Sequence, residues 1–411
     1  MNPLLAQLQP YPFERLRQLF EGIKPNPAYR PISLGIGEPK HPTPPFILDA
    51  LDSSARANPS GLASYPATTG DPSLRQACAD WLQRRYGLVV NPTTQVLPVN
   101  GSREALFALA QTVVDPQKQL DSNATPPWVV CPNPFYQIYE GAALLSGAKP
   151  WFVPAVPAQN FAPDWDKVPQ AVWAQTQLVF VCSPGNPTGA VMGLDDWRKL
   201  FALSEKHGFV IASDECYSEI YFRDEPPLGS LQAAQLCGLQ NYKNLVALTS
   251  LSKRSNVPGM RSGFVAGDAT ILKQFLLYRT YHGSAMSPVV QFASCAAWCD
   301  EEHVVTNRNQ YRAKFAAVTP LLAGVLDVAL PDAAFYLWAA VPHNRWQGND
   351  VAFARALYAD YNVTVLPGSY LAREFNGQNP GSGRVRLALV AETNECLEAA
   401  RRIVDFCGSQ P

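Results

Sequence analysis

The chain has 411 residues, of which 47% are hydrophobic and 16% charged, and its 33 Lys and Arg residues nearly balance 34 Asp and Glu residues. This balance offers no basic surface for nucleic acid and no attraction to an anionic membrane. No stretch has the roughly 18 consecutive apolar residues that a membrane-spanning helix needs, and the first residues lack the apolar core of a signal peptide. We therefore expect a cytoplasmic protein that binds neither nucleic acid nor membrane.

The cysteines and histidines show no metal-binding or disulfide pattern. Nine cysteines, an odd number, occur without CxxC units, and the five histidines are far apart. Buried, reduced thiols and an absence of zinc are the expectation from this distribution.

Short apolar runs alternate with helix-like segments in the first part of the chain. The runs span residues 95–99, 128–130, 177–181, 209–212, 245–248 and 264–266. Because they are apolar on both faces, they predict a buried, mostly parallel sheet covered by helices. Several runs end in polar or glycine-rich clusters, and in such sheets ligands bind beyond the strand ends. The pattern therefore predicts one site assembled from distant segments.

The pattern changes after residue 290. A long helical stretch over 289–323 precedes strand-like segments at 335–341, 363–366 and 384–389 and a helix at 395–406. These segments predict a smaller α+β domain, with which the first 45 residues are expected to pack. The predicted division is a large domain at 46–290 and a small domain formed by 1–45 and 291–411.

A lysine between hydroxyl groups follows the apolar run at 245–248. Ser250, Ser252 and Lys253 are joined shortly afterwards by Arg261. A lysine amine can form a Schiff base with an aldehyde cofactor, while hydroxyl groups and a guanidinium can hold that cofactor's phosphate. These are the groups that pyridoxal phosphate chemistry requires, although a solvated loop explains these residues equally well when they are considered alone.

Polar residues after two other apolar runs suit the same cofactor. Asp214 follows the run at 209–212 and could keep a pyridine nitrogen protonated, although an Asp there could equally cap a helix. Tyr217 could reach the phenolic oxygen of the ring, or simply pack. Asn186, within Pro-Gly-Asn-Pro-Thr-Gly, could donate to the same oxygen or only form a turn.

Five further residues could also serve the cofactor or its substrate. Ser102 and Arg103 open an apolar helix whose first N–H groups could bind phosphate. Tyr136 could stack on the pyridine face or simply pack, and Tyr65 could offer its hydroxyl to a phosphate. Arg386 could clamp a carboxylate, or be part of an ordinary half-exposed strand.

Taken together and in chain order, these motifs resemble the class I/II aminotransferases of the fold-type I pyridoxal phosphate enzymes. The resemblance runs from the Gly-Ile-Gly-Glu-Pro loop that contains Gly37, through YPxxxG at Tyr65 and GS-x-EAL at 101–106, to Arg386. It implies an α/β fold with a mostly parallel central sheet flanked by helices, plus a smaller α+β domain. It also implies pyridoxal 5′-phosphate as cofactor and a homodimer in which Tyr65 reaches the partner's site.

The resemblance also implies a role for each matching residue. Lys253 would be the Schiff-base lysine and the base that moves protons, and Asp214 would pair with the pyridinium. Asn186 and Tyr217 would bind the phenolic oxygen, and Tyr136 would stack on the ring. The implied phosphate ligands are Ser102, Arg103, Ser250, Ser252 and Arg261, joined by Tyr65, and the implied substrate-binding residues are Gly37, Asn186 and Arg386.

Within the family, the opening segments 2–5 and 11–16 are similar to those of proteobacterial N-succinyldiaminopimelate aminotransferases. That similarity implies transamination between N-succinyl-LL-2,6-diaminopimelate and 2-oxoglutarate in lysine biosynthesis. Small amino and keto acids would be the only partners besides a second copy of the chain. Arg279 could contact the distal end of the substrate, although a solvated helix face explains it as well.

Two alternatives share part of this pattern. An aspartate, alanine or aromatic aminotransferase, or a C–S lyase, would have the same cofactor site. The aminotransferase-like domain of a transcription regulator would carry a DNA-binding module ahead of it. Only about 35 residues precede the first family motif, which is too few for such a module, and the charge is balanced.

Overall fold

The computed structural model describes residues 1–57, 62–118 and 126–408. Its strands are β1 Ile32–Ser33, β2 Val96–Val99, β3 Trp128–Asn133, β4 Lys149–Pro154, β5 Thr176–Cys182, β6 Val210–Asp214, β7 Leu245–Ser250, β8 Gly263–Gly267, β9 Tyr336–Ala340, β10 Val363–Thr364, β11 Leu366–Pro367 and β12 Arg384–Ala388. Its α-helices are α1 Pro12–Leu19, α2 Pro45–Ala57, α3 Pro72–Tyr86, α4 Ser102–Val113, α5 Ile138–Leu145, α6 Gln170–Gln175, α7 Leu194–His207, α8 Ser230–Leu236, α9 Leu251–Arg254, α10 Ala269–His282, α11 Pro288–Cys299, α12 Glu302–Ala323, α13 His343–Trp346, α14 Asp350–Tyr361 and α15 Thr393–Gly408.

A seven-stranded sheet in the order β2-β8-β7-β6-β5-β3-β4 forms the centre of the molecule. All neighbouring strands are parallel except at β8, which is antiparallel to both β2 and β7. Helices cover both faces, and successive residues of β5 alternate between two cores: Val179 belongs to one and Phe180 to the other. The predicted α/β fold with a mostly parallel sheet is confirmed.

Six of the seven strands coincide with apolar runs recognised in the sequence, whereas β4 does not. Pro150 and Pro154 interrupt the apolar pattern of β4. The structure tolerates them because β4 is an edge strand that pairs only with β3. Proline lacks an N–H group and is accepted where no second neighbour requires one.

A smaller unit contains the antiparallel sheet β11-β12-β9 and the parallel pair β1-β10. Ile32 and Leu34, from the N-terminal segment, share a core with residues of α12, α14 and α15. Helix α11 packs instead against α2 and α3, and its Trp298 lies in a core of the central sheet. The division at residue 290 remains a prediction, and this packing favours a boundary after α11.

Two simpler expectations can be compared with the described residues. None of the helices found there has both the length and the apolar composition needed to span a membrane. All nine cysteines are free, but the expected burial holds fully only for Cys78, Cys131 and Cys396. Five others are half-buried and Cys299 is exposed, so the expectation of buried thiols is wrong for these six.

Candidate active site

The polar clusters predicted to meet at the sheet edge do so. In the register of the sheet, Cys182 at the end of β5 lies opposite Asp214 at the end of β6, and β7 ends alongside them at Ser250. A cavity of about 520 Å³ opens at this edge. It is lined by every predicted site residue except Tyr65, namely Gly37, Ser102, Arg103, Tyr136, Asn186, Asp214, Tyr217, Ser250, Ser252, Lys253, Arg261 and Arg386.

Lys253 projects its amine into this cavity from the four-residue helix α9. Its Nζ donates a hydrogen bond to the backbone oxygen of Gly37 at 2.8 Å. Burial lowers the pKa of Lys253 to about 8, because desolvation disfavours the ammonium form. A substantial fraction of the amine is therefore neutral near physiological pH, as a nucleophile or a general base requires.

One end of the cavity is an arrangement of donors suited to an anion. The Ser250 hydroxyl contacts the Ser252 hydroxyl at 2.8 Å and accepts from the Ser252 N–H at 3.0 Å. Gly101, with φ of +84°, precedes the first turn of α4, and a Cβ there would lie 2.4 Å from Arg261 Nη2. Glycine thus allows a guanidinium to lie against the start of a helix, where free N–H groups already favour phosphate.

Asp214 is a buried acidic residue of the cavity. Its buried carboxylate accepts from the Tyr139 hydroxyl at 2.8 Å and from the Cys216 N–H at 3.3 Å. Burial raises the pKa of Asp214. No helix begins here, so the alternative role as a helix cap is wrong. Within the described ranges no lysine or arginine forms an ion pair with Asp214, and a protonated ring nitrogen would supply the missing cation.

Arg386 is a buried guanidinium held in a fixed orientation. Nη1 donates to Asn186 Oδ1 at 3.0 Å, and Nη2 donates to the Gly35 backbone oxygen at 2.8 Å. The guanidinium carbon lies 4.4 Å from the centre of the Tyr336 ring. The Nε–H has no partner among the described residues. The guanidinium can therefore bind a carboxylate without changing its orientation. Because Asn186 uses its amide oxygen, its NH₂ remains available as a donor.

Gly37 and Tyr336 meet at the wall of the cavity. A Cβ at position 37 would lie 2.0 Å from the Tyr336 hydroxyl, so no larger residue fits there without displacing the tyrosine. The same hydroxyl bonds the Tyr217 hydroxyl at 2.8 Å. Sequence reasoning did not identify Tyr336, because it belongs to a strand of the smaller unit that has no cofactor motif.

Arg103 directs its side chain toward two tyrosines. Nε donates to the Tyr136 hydroxyl at 2.6 Å, and the guanidinium lies 6.0 Å from the centre of the Tyr11 ring. Arg103 is also the second residue of α4, so that its backbone N–H lies in the first turn, where such groups lack helical partners. The predicted phosphate contact is therefore available through the main chain while the side chain serves another purpose.

Two other residues lie outside the cavity. Tyr65 is fully exposed, so its contact with a partner's site stays a prediction. Arg279 is buried and donates to Glu104 at 2.6 Å and to Asn100 at 3.2 Å. The solvated helix face expected for Arg279 is wrong, and so is the alternative of a substrate contact. Arg279 instead fixes the loop before α4.

Several residues of the site were not identified from the sequence. Tyr139 bonds Asp214 from behind and does not itself line the cavity. It carries the only recognisable signal, since it lies three residues after Tyr136 and its ring contacts the Tyr136 ring. Cys216, Glu38 and Tyr11 line the cavity, and nothing local distinguishes them from packing residues.

The cavity fits pyridoxal phosphate in charge and chemistry. Ser102, Ser250, Ser252 and Arg261 would hold the phosphate, Asp214 the ring nitrogen, and Lys253 the aldehyde carbon. When bound, the cofactor supplies an electron sink for the carbanion formed at the Cα atom of an amino acid. With the buried Arg386 as a carboxylate receptor, the fold and the site define a pyridoxal phosphate enzyme that acts on amino acids.

Comparison with known proteins gives the family. The model of the class I and II aminotransferases matches residues 29–403. An aminotransferase of known structure from Neisseria meningitidis Z2491 is 54% identical, with a TM-score of 0.93 over 99% of this chain and 100% of that one. The LL-diaminopimelate aminotransferase of Aquifex aeolicus (strain VF5) is 31% identical over 402 residues, 97% of each chain.

A third similarity concerns a structure from Thermus thermophilus described as a probable N-succinyldiaminopimelate aminotransferase. It is 26% identical, with a TM-score of 0.81, and the match covers 98% of this chain and 99% of that one. The chain belongs to the class I and II aminotransferases, which are pyridoxal phosphate-dependent enzymes. Small amino and keto acids are the substrates of such enzymes.

Proposed function

We propose that this enzyme transfers an amino group between N-succinyl-LL-2,6-diaminopimelate and 2-oxoglutarate, a reaction of lysine biosynthesis. The observation that carries the proposal is a third arginine, Arg103, in the cavity with Arg261 and Arg386. The described structural relative from Thermus thermophilus supports the same substrate. So does the similarity of the opening segments to N-succinyldiaminopimelate aminotransferases.

In this proposal each of the three arginines binds a different anionic group. Arg261 lies against the helix start and faces the phosphate, and Arg386 binds the α-carboxylate. Arg103 forms no ion pair with any described carboxylate, and Tyr136 takes only its Nε–H. A cation without an acidic partner in a half-buried position favours a substrate with a second carboxylate. Glutamate and a succinylated amino acid both have one.

The chain's own residues would then divide the reaction among them. Arg386 orients the substrate by its α-carboxylate, and Asn186 keeps the guanidinium in place at 3.0 Å. Lys253 Nζ takes the proton from the substrate Cα atom, which its lowered pKa permits near neutral pH. Asp214 keeps the ring nitrogen protonated, so that the electron pair left at Cα is stabilised.

A second candidate is transamination of LL-diaminopimelate itself. The curated relatives at 30–31% identity are named LL-diaminopimelate aminotransferases, which favours it. The two substrates differ at the distal nitrogen, which is a cation in LL-diaminopimelate and a neutral amide after succinylation. Glu38 lines the cavity and could pair with that cation. Both substrates have a second carboxylate that Arg103 could bind, so the two candidates differ in whether Glu38 pairs with a distal ammonium.

A substrate screen on the purified enzyme separates these functions. We expect glutamate and N-succinyl-LL-diaminopimelate to bleach the visible absorbance of the bound cofactor within seconds, and LL-diaminopimelate to do so far more slowly. Rapid reaction with LL-diaminopimelate alone would assign the second candidate. Reaction with aspartate or aromatic amino acids but with neither pimelate would discard both. Release of pyruvate and ammonia from a sulfur amino acid would indicate a lyase.

Replacing Arg103 with glutamine tests the distal contact. We expect the KM for glutamate to rise about 10- to 100-fold, because a charge-assisted hydrogen bond is lost, while the KM for alanine stays unchanged. Arg103→Lys retains the charge and should recover part of the loss. Steady-state kinetics with both donors and a titration of cofactor affinity provide the measurement. An equal loss with both donors, or weakened cofactor binding, would contradict a side-chain role in substrate recognition.

We also propose a homodimer in which Tyr65 completes the partner's site. The supporting observation is that Tyr65, Leu62 and Tyr281 are large side chains exposed by 104, 64 and 88%. A dimer interface that covered them would bury apolar surface. Sedimentation of the purified protein measures the assembly directly.

A further inference from the structure

A chain of buried polar side chains connects Lys253 to the smaller unit. His41, Asn307 and Lys314 are 9, 4 and 1% exposed. Lys314 Nζ lies 3.0 Å from His41 Nε2, and His41 Nδ1 lies 2.9 Å from Asn307 Oδ1. Asn307 Nδ2 donates to the backbone oxygen of Lys253 at 3.3 Å. Four residues from three distant segments are thus hydrogen-bonded in sequence.

The direction of every bond in this chain is determined by Lys314. Burial lowers the pKa of Lys314, which favours the neutral amine. While the amine is protonated it can only donate, so that His41 Nε2 accepts and the ring proton lies on Nδ1. His41 then donates to Asn307 Oδ1, which also accepts from Asn256 at 3.0 Å. The Asn307 NH₂ is therefore directed to the main chain of the lysine segment.

This arrangement requires neutral His41. Burial lowers the pKa of His41, and the ammonium of Lys314 lowers it further, whereas Asn307 and the more distant Glu392 oppose the shift. Tyr311 contributes its ring, 4.6 Å from that of His41. A second ring proton would direct the Nε2–H group of His41 at the ammonium of Lys314. Protonation of His41 would therefore break the hydrogen bond between Lys314 and His41.

Lys253 needs an external support of this kind. Helix α9 has only four residues, so its own hydrogen bonds do little to restrain the lysine. The Lys253 side chain is bonded to Gly37, and its main chain is connected through Asn307 to His41. Gly37 and His41 belong to one short segment. The same segment therefore holds the catalytic lysine at both ends.

We propose that Asn307, oriented by His41 and Lys314, is a positioning residue that fixes the main chain of Lys253 relative to the loop containing Gly37. By fixing this main chain, the network determines where the Lys253 amine lies in the cavity and how readily it is protonated. The inference rests on the proposed role of Lys253 and not on which substrate the enzyme takes.

The test compares Asn307→Ala and Lys314→Met with Arg308→Met as matched control. Arg308 neighbours Asn307 on α12 and bonds Glu219 instead of the lysine segment. Two quantities are measured on the holoenzyme: kcat against KM for glutamate, and the pH midpoint of the visible absorbance. On the cofactor-free chain, the pH dependence of Lys253 reductive methylation is followed by mass spectrometry, with thermal unfolding as a fold check.

We expect both network variants to lower kcat about 10- to 100-fold with little change in KM, because a small displacement of a reacting group is enough for such a loss. Both should shift the methylation midpoint of Lys253, and Arg308→Met should leave it unchanged. Unchanged midpoints in the network variants, with a loss of Tm equal to that of Arg308→Met, would overturn the proposal. If Asn307→Ala does not fold, Lys314→Met decides the outcome by the same criteria.

Methylation reads the lysine amine without cofactor or substrate. Suppose that the network variants shift the methylation midpoint of Lys253 but Lys253→Ala keeps its visible absorbance. The proposed catalytic role of Lys253 would then have failed, while its positioning by Asn307 would stand. If the enzyme is active but the network variants leave the methylation midpoint unshifted, the positioning by Asn307 would have failed and the role of Lys253 would stand.

Discussion

Replacing Lys253 with alanine is expected to abolish both amino transfer and the visible absorbance of lysine-bound cofactor. Lys253 is the only lysine lining the cavity within the described residues, so no other amine there can take over its bond to the aldehyde or its proton transfer. We expect turnover to fall by at least roughly 10,000-fold, since a covalent anchor and a general base are lost together. Absorbance spectra and single-turnover kinetics measure the two losses.

Lys199→Ala is the control for this variant, because Lys199 is an exposed lysine paired with Asp166. It should retain both absorbance and turnover. A small primary amine added to the Lys253→Ala enzyme should restore part of the turnover if the missing function is proton transfer. Undiminished turnover in the variant would remove Lys253 from the reaction.

The lowered pKa of Lys253 also affects the stability of the cofactor-free chain. Its pKa falls from the ordinary 10.5 to about 8, so burying the ammonium costs stability at every pH below 8. That cost disappears as the pH rises from about 8 to 10.5, because the folded chain then releases its proton first. Lys253→Met should therefore unfold at a higher temperature than the wild type at pH 7, with the difference shrinking toward pH 10.5.

Replacing Arg386 with glutamine should produce the second-largest effect. Arg386 is 3% exposed, and its Nε–H lacks a partner among the described residues, so that a substrate carboxylate would be its only anion. We expect kcat/KM to fall roughly 100- to 1,000-fold for every amino acid tested, because one partner of a buried charged pair is removed. The loss should appear mainly in KM, with the cofactor absorbance unchanged.

Lysine at position 386 should recover little. Its single ammonium cannot donate at once to Asn186, to the Gly35 oxygen and to a carboxylate in the geometry of the guanidinium. Arg384, two residues earlier on β12 and outside the cavity, offers a matched control in Arg384→Lys. A loss confined to dicarboxylic substrates would reassign Arg386 from the α-carboxylate to the distal one.

Most of the residues that sequence reasoning could place in the cavity lie at or just after a strand end, Arg386 within β12 being an exception. Asp214, Asn186 and Lys253 each follow an apolar run, and the parallel sheet brings those run ends to one edge. The same reasoning failed for Tyr336, which reaches the cavity from the smaller unit. It also failed for Arg279, whose helical position is compatible with exposure or burial until Glu104 is placed beside it.

The sequence alone determined the fold class and, through its resemblance to a known family, the cofactor and most of the groups that meet at the sheet edge. It could do so because strand periodicity and the residues following each strand are local properties, and the topology of a parallel sheet turns them into one site. Only the tertiary structure decided which groups bond within that site. Arg386 meets a residue 200 positions away, and His41 meets one 266 positions away. Contacts at such separations depend on how the units pack, which no local pattern records.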